Sequence, residues 1–148
     1  MHPLAESAIR EVRELHEFFE AWLGGSGPSG DLAFRRVEAA LALDFTLVVP
    51  TGQRLSRSEL IGWLRSAYGS RRSPERLQIT IEEPMVVRCE PPLVVMSYAE
   101  VQGGAEVTAR RSLAVLREAE DAPCGVLWIA LQETWTTAWT GASASEPS

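Results

Sequence analysis

Arg110, Glu100, Glu133, His16 and Asp44 are the side chains whose types could do chemistry. An arginine on an apolar strand must find an anion or several acceptors, because an unpaired buried charge is costly. Its planar fork suits a carboxylate. Glu100 and Glu133 lie on two alternating segments and could form a carboxylate pair for general acid–base work. His16 sits beside an apolar helical face, one turn from Glu20, which reads as a flank histidine before it reads as a catalytic one. Asp44 opens a strand after a helix, where a turn or cap role comes first. Cys89 and Cys124 give neither metal spacing nor a disulfide framework, and read as small apolar residues near strands. Arg71-Arg72 reads as solvated loop charge.

The elements that must position these groups follow from hydrophobic periodicity. Ala8, Val12, Leu15, Phe19 and Trp22 recur at helical steps, so a first helix is expected from Leu4 to Leu23, stopping at Gly24-Gly25. Gly24 to Gly30 reads as a linker. Asp31 is the expected N-cap of a second helix carrying Phe34, Val37 and Leu41 on one face. Phe45, Leu47 and Val49 then alternate as a first strand, and Pro50-Thr51-Gly52 turns the chain. Ser56-Arg57-Ser58-Glu59 is a capping box for a third helix, whose buried face is expected to hold Leu60, Trp63, Leu64 and Ala67. Four alternating strands follow: Leu77 to Glu90, Leu93 to Gln102, Glu106 to Arg117, and Val126 to about Thr137. Pro84 predicts a bulge or an edge in the first of them, and Gly103-Gly104 predicts a tight hairpin.

At 148 residues one domain is expected, over 1–140, with 141–148 as a disordered tail. A net charge of −6 argues against a nucleic-acid partner. No apolar run is long enough to span a bilayer, and the opening residues lack a secretory layout, so a cytoplasmic protein with no membrane partner is expected. Every positive charge is Arg; Lys and Asn are absent, which we read as the codon bias of a GC-rich, bacterial genome.

With its elements in this order, the chain resembles the nuclear-transport-factor-2-like superfamily, also called the SnoaL-like or ketosteroid-isomerase-like fold. The resemblance rests on Asp44-Phe45-Thr46-Leu47-Val48-Val49-Pro50-Thr51-Gly52, the helix at Ser56, and the closing Trp128…Gln132-Glu133-Thr134-Trp135. It covers about residues 4 to 137 and looks closest to a branch of unknown function. It implies an α+β fold of cystatin-like type: a cone-shaped, curved antiparallel β-sheet covered by three helices from the N-terminal half.

The resemblance also implies which side chains enter the cone. Aligned with the isomerase branch, Leu93, Val95, Ser97, Ala99 and Val101 point inward. So do Thr108, Arg110, Ser112, Ala114 and Leu116, and also Trp128, Ala130, Gln132 and Thr134. Met96, Tyr98, Glu100, Leu113, Val115, Ile129, Leu131, Glu133 and Trp135 fall on the other face, which in this family packs against a second copy, so a homodimer is expected, with Glu100 and Glu133 read as interface hydrogen-bonding groups before acid–base ones. A register slip of one residue would exchange the two sets.

The isomerase branch places a carboxylate base where this chain has Val49. Its oxyanion donors fall at about Phe18 and Ala114. All three positions lack the needed atoms, so the steroid-isomerase reaction is disfavoured. Where relatives carry two His on the last strand, this chain has Ala130 and Gln132, which puts a His-based or metal site in doubt. The catalytic set is therefore unknown, and neither metal nor cofactor is expected. The ligand-binding set implied is Phe18, Trp22, Val49, Trp63, Ser97, Arg110, Ser112, Trp128, Gln132 and Thr134. Arg110 either pairs with an internal Glu or snorkels at the rim, or it holds the acidic group of an aromatic or lipophilic small molecule. The leading reading is a small-molecule-binding domain with a partly apolar pocket. The alternatives are a SnoaL-like isomerase or cyclase acting on a polyketide- or steroid-like substrate, and a dimerisation or protein-interaction module whose cone is filled by its own side chains.

Overall fold

The computed structural model describes residues 1–136, and the expected tail at 141–148 lies outside them. Three helices and six strands are present among the described residues: α1 Pro3–Gly24, α2 Asp31–Glu38, β1 Leu41–Val48, β2 Arg54–Ser56, α3 Arg57–Ser66, β3 Gln78–Glu90, β4 Leu93–Gly103, β5 Thr108–Glu118 and β6 Val126–Trp135. The strands form one curved, unclosed sheet in the order β2-β1-β6-β5-β4-β3. Only the β1–β6 pair is parallel; the others are antiparallel. The fold is α+β, as the residue patterns imply.

Local chemistry explains the helix ends. The His2 side chain caps α1 by accepting from the Leu4 amide, and Gly25 closes the helix in the left-handed region (φ 68°) that favours glycine. Ser56 caps α3, and the reciprocal bond from the Ser56 amide to Glu59 completes the capping box. For α2 the expectation is corrected: Gly30 is the N-cap and Asp31 is already in the first turn, where its charge still complements the helix dipole. Leu41 belongs to β1 and not to α2. Asp44 is exposed in an irregular stretch of β1, where the β6 register shifts between Leu41 and Thr46.

One face of the sheet packs on α1, α2 and α3. Val94, Met96 and Tyr98 of β4 meet Leu116, Ala114 and Ser112 of β5 across the pairing register, and all are buried. Trp128 and Val126 of β6, Phe45 and Leu47 of β1, and Ala8, Val12, Leu15 and Trp22 of α1 complete the core. Trp128, Tyr98, Phe45, Met96 and Leu116 are fully buried, so the cone is occupied largely by its own side chains.

Two expectations of facing are corrected here. On β4 the buried residues are Val94, Met96, Tyr98, Glu100 and Gln102, and the set containing Ser97 lies on the outer face. On β6 the parity changes along the strand. Leu116 pairs with Trp128 and Val115 with Ala130, so Ile129 is an extra residue at a bulge. Before it, Val126 and Trp128 point inward; after it, Leu131, Glu133 and Trp135 take the inner register while Gln132 and Thr134 are turned out. A second irregularity lies between Glu82 and Met85 of β3, spanning Pro84 as that residue predicts.

Candidate functional site

Helix α1 brings three polar side chains down onto the sheet. At 3.6 residues per turn, Glu11 and Glu20 lie on roughly opposite flanks of the helix, with His16 between them. Glu11 is fully buried and reaches β6 and α2: its carboxylate accepts from Trp128 Nε1 at 2.9 Å and from both Arg36 Nη atoms at 3.2 and 2.8 Å. His16 reaches β4, with Nε2 3.3 Å from Glu100 Oε1. Glu20 reaches β3 and accepts from the Ile79 amide at 2.7 Å. The helix is thus tied to three different strands, by hydrogen bonds at Glu11 and Glu20 and by an ion-pair contact at His16, and the Glu11 and His16 positions are closed to water.

Around His16 the inner face is polar. Gln102 donates to Glu100 at 2.6 Å and accepts from Arg71 at 2.8 Å. Arg110 donates to Glu133 at 3.3 Å, and its guanidinium lies 4.6 Å from the centre of the Trp135 ring. Arg110 therefore takes an internal Glu as its partner. Four polar atoms in this region are buried without a partner: Tyr98 Oη, Ser112 Oγ, Thr108 Oγ1 and Arg110 Nε.

The environment pushes the two carboxyls apart. Burial raises Glu100, but the His16 bond and charge, with Arg110 and Gln102, outweigh it and bring the pKa to about 2. Burial pushes Glu133 up, and Arg110 pulls it back only in part. Burial, helped by both carboxylates, drives the Tyr98 phenol well above its usual value. For His16, burial lowers the pKa, yet Glu100 and the Val12 carbonyl more than compensate, and the net direction is up.

The residues implied as a ligand set do not form one group. Ser112, Arg110 and Trp128 do share the inner face. Phe18 and Trp22 stack at 5.6 Å in a separate aromatic cluster with Phe34 and Tyr68, where Trp22 Nε1 is tied to the Leu64 carbonyl. Val49 is half-buried at the end of β1. Trp63 is 54% exposed on α3, against the expectation that it lines the interior. Ser97, Gln132 and Thr134 lie on the outer face, because of the β4 register and the β6 bulge. Glu100, Glu133 and His16, which the sequence pointed to a dimer face and a helix flank, are instead buried inside. Glu11 was not anticipated at all; its sole sequence signal is a charge directly beside Val12 in the apolar stripe.

Two concavities lie outside the cone. One is a cleft of about 170 Å³ at the β4–β5 hairpin, lined by Arg71, Leu77 and Gly104 among others. The other is an open groove on the outer side of α1 beside Glu6, Ile9 and Arg13. No helix among the described residues is long and apolar enough to cross a membrane.

The outer face has a different character. One row across the sheet runs Met85, Ser97, Leu113, Gln132, Val48; the next runs Arg88, Val95, Val115, Ala130, Thr46. Met85 and Leu113 are 56% and 52% exposed. Glu82 and Arg111 bound the rows on one side, and Glu90 and Arg117 on the other.

No family model matches the sequence, and no curated protein is similar to it. Solved structures are. An NTF2-like protein of unknown function from Pseudomonas aeruginosa superposes with a TM-score of 0.79 at 27% identity, over 88% of this chain and 99% of that one. An NTF2-like protein of unknown function in nutrient uptake from Rhodospirillum rubrum gives 0.62 at 17%, over 85% and 98%. The CaMKII hub of S. rosetta gives 0.64 at 13%, over 88% and 95%. With its three helices laid on one curved, unclosed six-stranded sheet, the chain belongs by fold to the nuclear-transport-factor-2-like superfamily, beside members of unknown function.

Proposed function

We propose that this chain is an assembly module, and that two copies join through the outer face of β3 to β6. The observation that carries this reading is the apolar pair of rows centred on Leu113 and Val115, with charges of both signs at its edges. An apolar centre with a polar rim is the anatomy of a protein interface. In a two-fold pair the same patch meets itself, so Glu82 and Glu90 can face Arg111 and Arg117 of the second copy. Ser97 and Gln132 then supply hydrogen bonds at the centre. An interior filled by Trp128 and Tyr98 accords with a domain whose work is done on its outside. Two free thiols fit a reducing compartment such as the cytoplasm. If dimerisation stabilises the fold, the unfolding temperature must rise with protein concentration. An unfolding temperature independent of concentration over three decades would remove this reading.

A second reading rests on the four unpartnered polar atoms of the inner face. Buried polar groups in native proteins have partners, including water and ligands. A small molecule carrying a carboxylate or carbonyl would satisfy the Tyr98, Ser112 and Arg110 donors. Turnover of a SnoaL-like kind would need a base there, and Glu133 is the carboxyl whose raised pKa suits one. A thermal-shift series with aromatic carboxylic acids tests it: a shift that Arg110→Ala abolishes supports binding, and no shift with any acid ends it.

A further inference from the structure

His16 is 3% exposed, and both of its ring nitrogens face acceptors. Nδ1 is 2.7 Å from the Val12 carbonyl oxygen, which can only accept. Nε2 is 3.3 Å from Glu100 Oε1. The other Glu100 oxygen accepts from the Gln102 amide, whose own oxygen is held by Arg71, so the amide orientation is fixed, and with its pKa lowered to about 2 Glu100 is an ionised carboxylate that can only accept. A neutral imidazole has one donor and could satisfy only one of its two acceptors. We propose that His16 is carried as an imidazolium, and that its second proton is a latch fastening α1 to β4.

The groups facing this cation come from every element packed on it. Tyr98 and Glu100 approach from β4, and Glu133 and Trp128 from β6, with Phe19 alongside on α1, while Arg110 of β5 acts on the two carboxylates. Two carboxylates against one other cation favour a positive imidazole. The rings of Phe19 and Tyr98 stand edge-on at 5.5 Å and keep water out. The direction of titration agrees. A histidine raised above 6.5 contributes stability that is complete below that value and is lost as pH rises through its folded pKa. Glu100, lowered from 4.5 to about 2, contributes stability above 4.5 that is lost as pH falls toward 2. In the folded chain the latch is therefore closed between about pH 2 and the folded pKa of His16, its contribution to stability is complete only between about pH 4.5 and 6.5, and it opens on the alkaline side by freeing the half of α1 that lies over β3 and β4.

Nitrogen NMR of the side chains tests this on the full chain, which has only two histidines. At pH 7 both nitrogens of His16 should carry protons, and His16 should titrate above the ordinary imidazole value or stay doubly protonated until the protein unfolds in alkali. In Glu100→Gln the His16 midpoint should fall by about one unit or more, and amides of α1 beyond Val12 should exchange faster. A bare Nε2 on His16 in the native protein at pH 7 overturns the proposal. An unchanged His16 midpoint in Glu100→Gln does so too. If that variant does not fold, the native spectrum decides alone.

Discussion

Glu11 shows what a single residue does in this fold. It is a fully buried carboxylate holding Trp128 from β6 and Arg36 from α2. Removing Glu11 strands the buried Trp128 Nε1 and leaves the partly exposed Arg36 with Glu14 alone, so the cost falls at the low end of the range of about 3–5 kcal/mol for breaking a buried pair. Glu11→Ala should lose about that much in urea unfolding, whereas Trp128→Phe, which deletes one bond and keeps the ion pair, should lose nearer 2 kcal/mol. Arg110→Ala removes the cation that restrains Glu133, whose carboxyl burial already raises. A raised acid stabilises the fold at low pH and loses that contribution as pH climbs through its folded pKa, so the variant should be hurt more at pH 8 than at pH 5. Equal losses at the two pH values would contradict this account of Glu133. Part of the site was legible at this scale. Arg110 demanded a partner by its chemistry, and an internal Glu was one of the partners named. Glu11 and His16 were not legible, because a charge bordering an apolar stripe looks the same whether water or a distant strand completes it.

At the scale of elements, alternation announced the long strands and the capping box announced α3. Ser56→Ala should cost about 1 kcal/mol, since it deletes the Oγ acceptor of the Glu59 amide and leaves only the reciprocal bond from the Ser56 amide; a change under about 0.3 kcal/mol would mean the cap is idle. Strand β2, three residues long, is too short for a pattern to reveal. The errors of facing came from register. Ile129 inserts one residue into β6, and everything after it changes sides. The sequence around it, Trp128-Ile129-Ala130-Leu131, is apolar on both parities, so nothing local marks the bulge. Deleting Ile129 should remove the bulge and leave Leu131 and Glu133 inward and Gln132 and Thr134 outward, so the native near-ultraviolet spectrum should be kept. Loss of that spectrum would show that the facing of β6 is not set by the one-residue insertion.

For the whole molecule, the order of three helices and a series of strands made the fold class readable, while the use of the two sheet faces was not. The inner face is closed by large side chains and cross-linked by polar contacts to α1; the outer face keeps its apolar rows. On this account the molecule acts by meeting a second copy, and each chain of 16.3 kDa is half of the working unit. Leu113 sits at the middle of the outer rows with its side chain half exposed and no partner in the core. Sedimentation equilibrium of the full chain is the decisive measurement. The account predicts twice the chain mass for the native protein and a single chain mass for Leu113→Glu with its fold intact; a native protein that sediments as one chain at every concentration would contradict it.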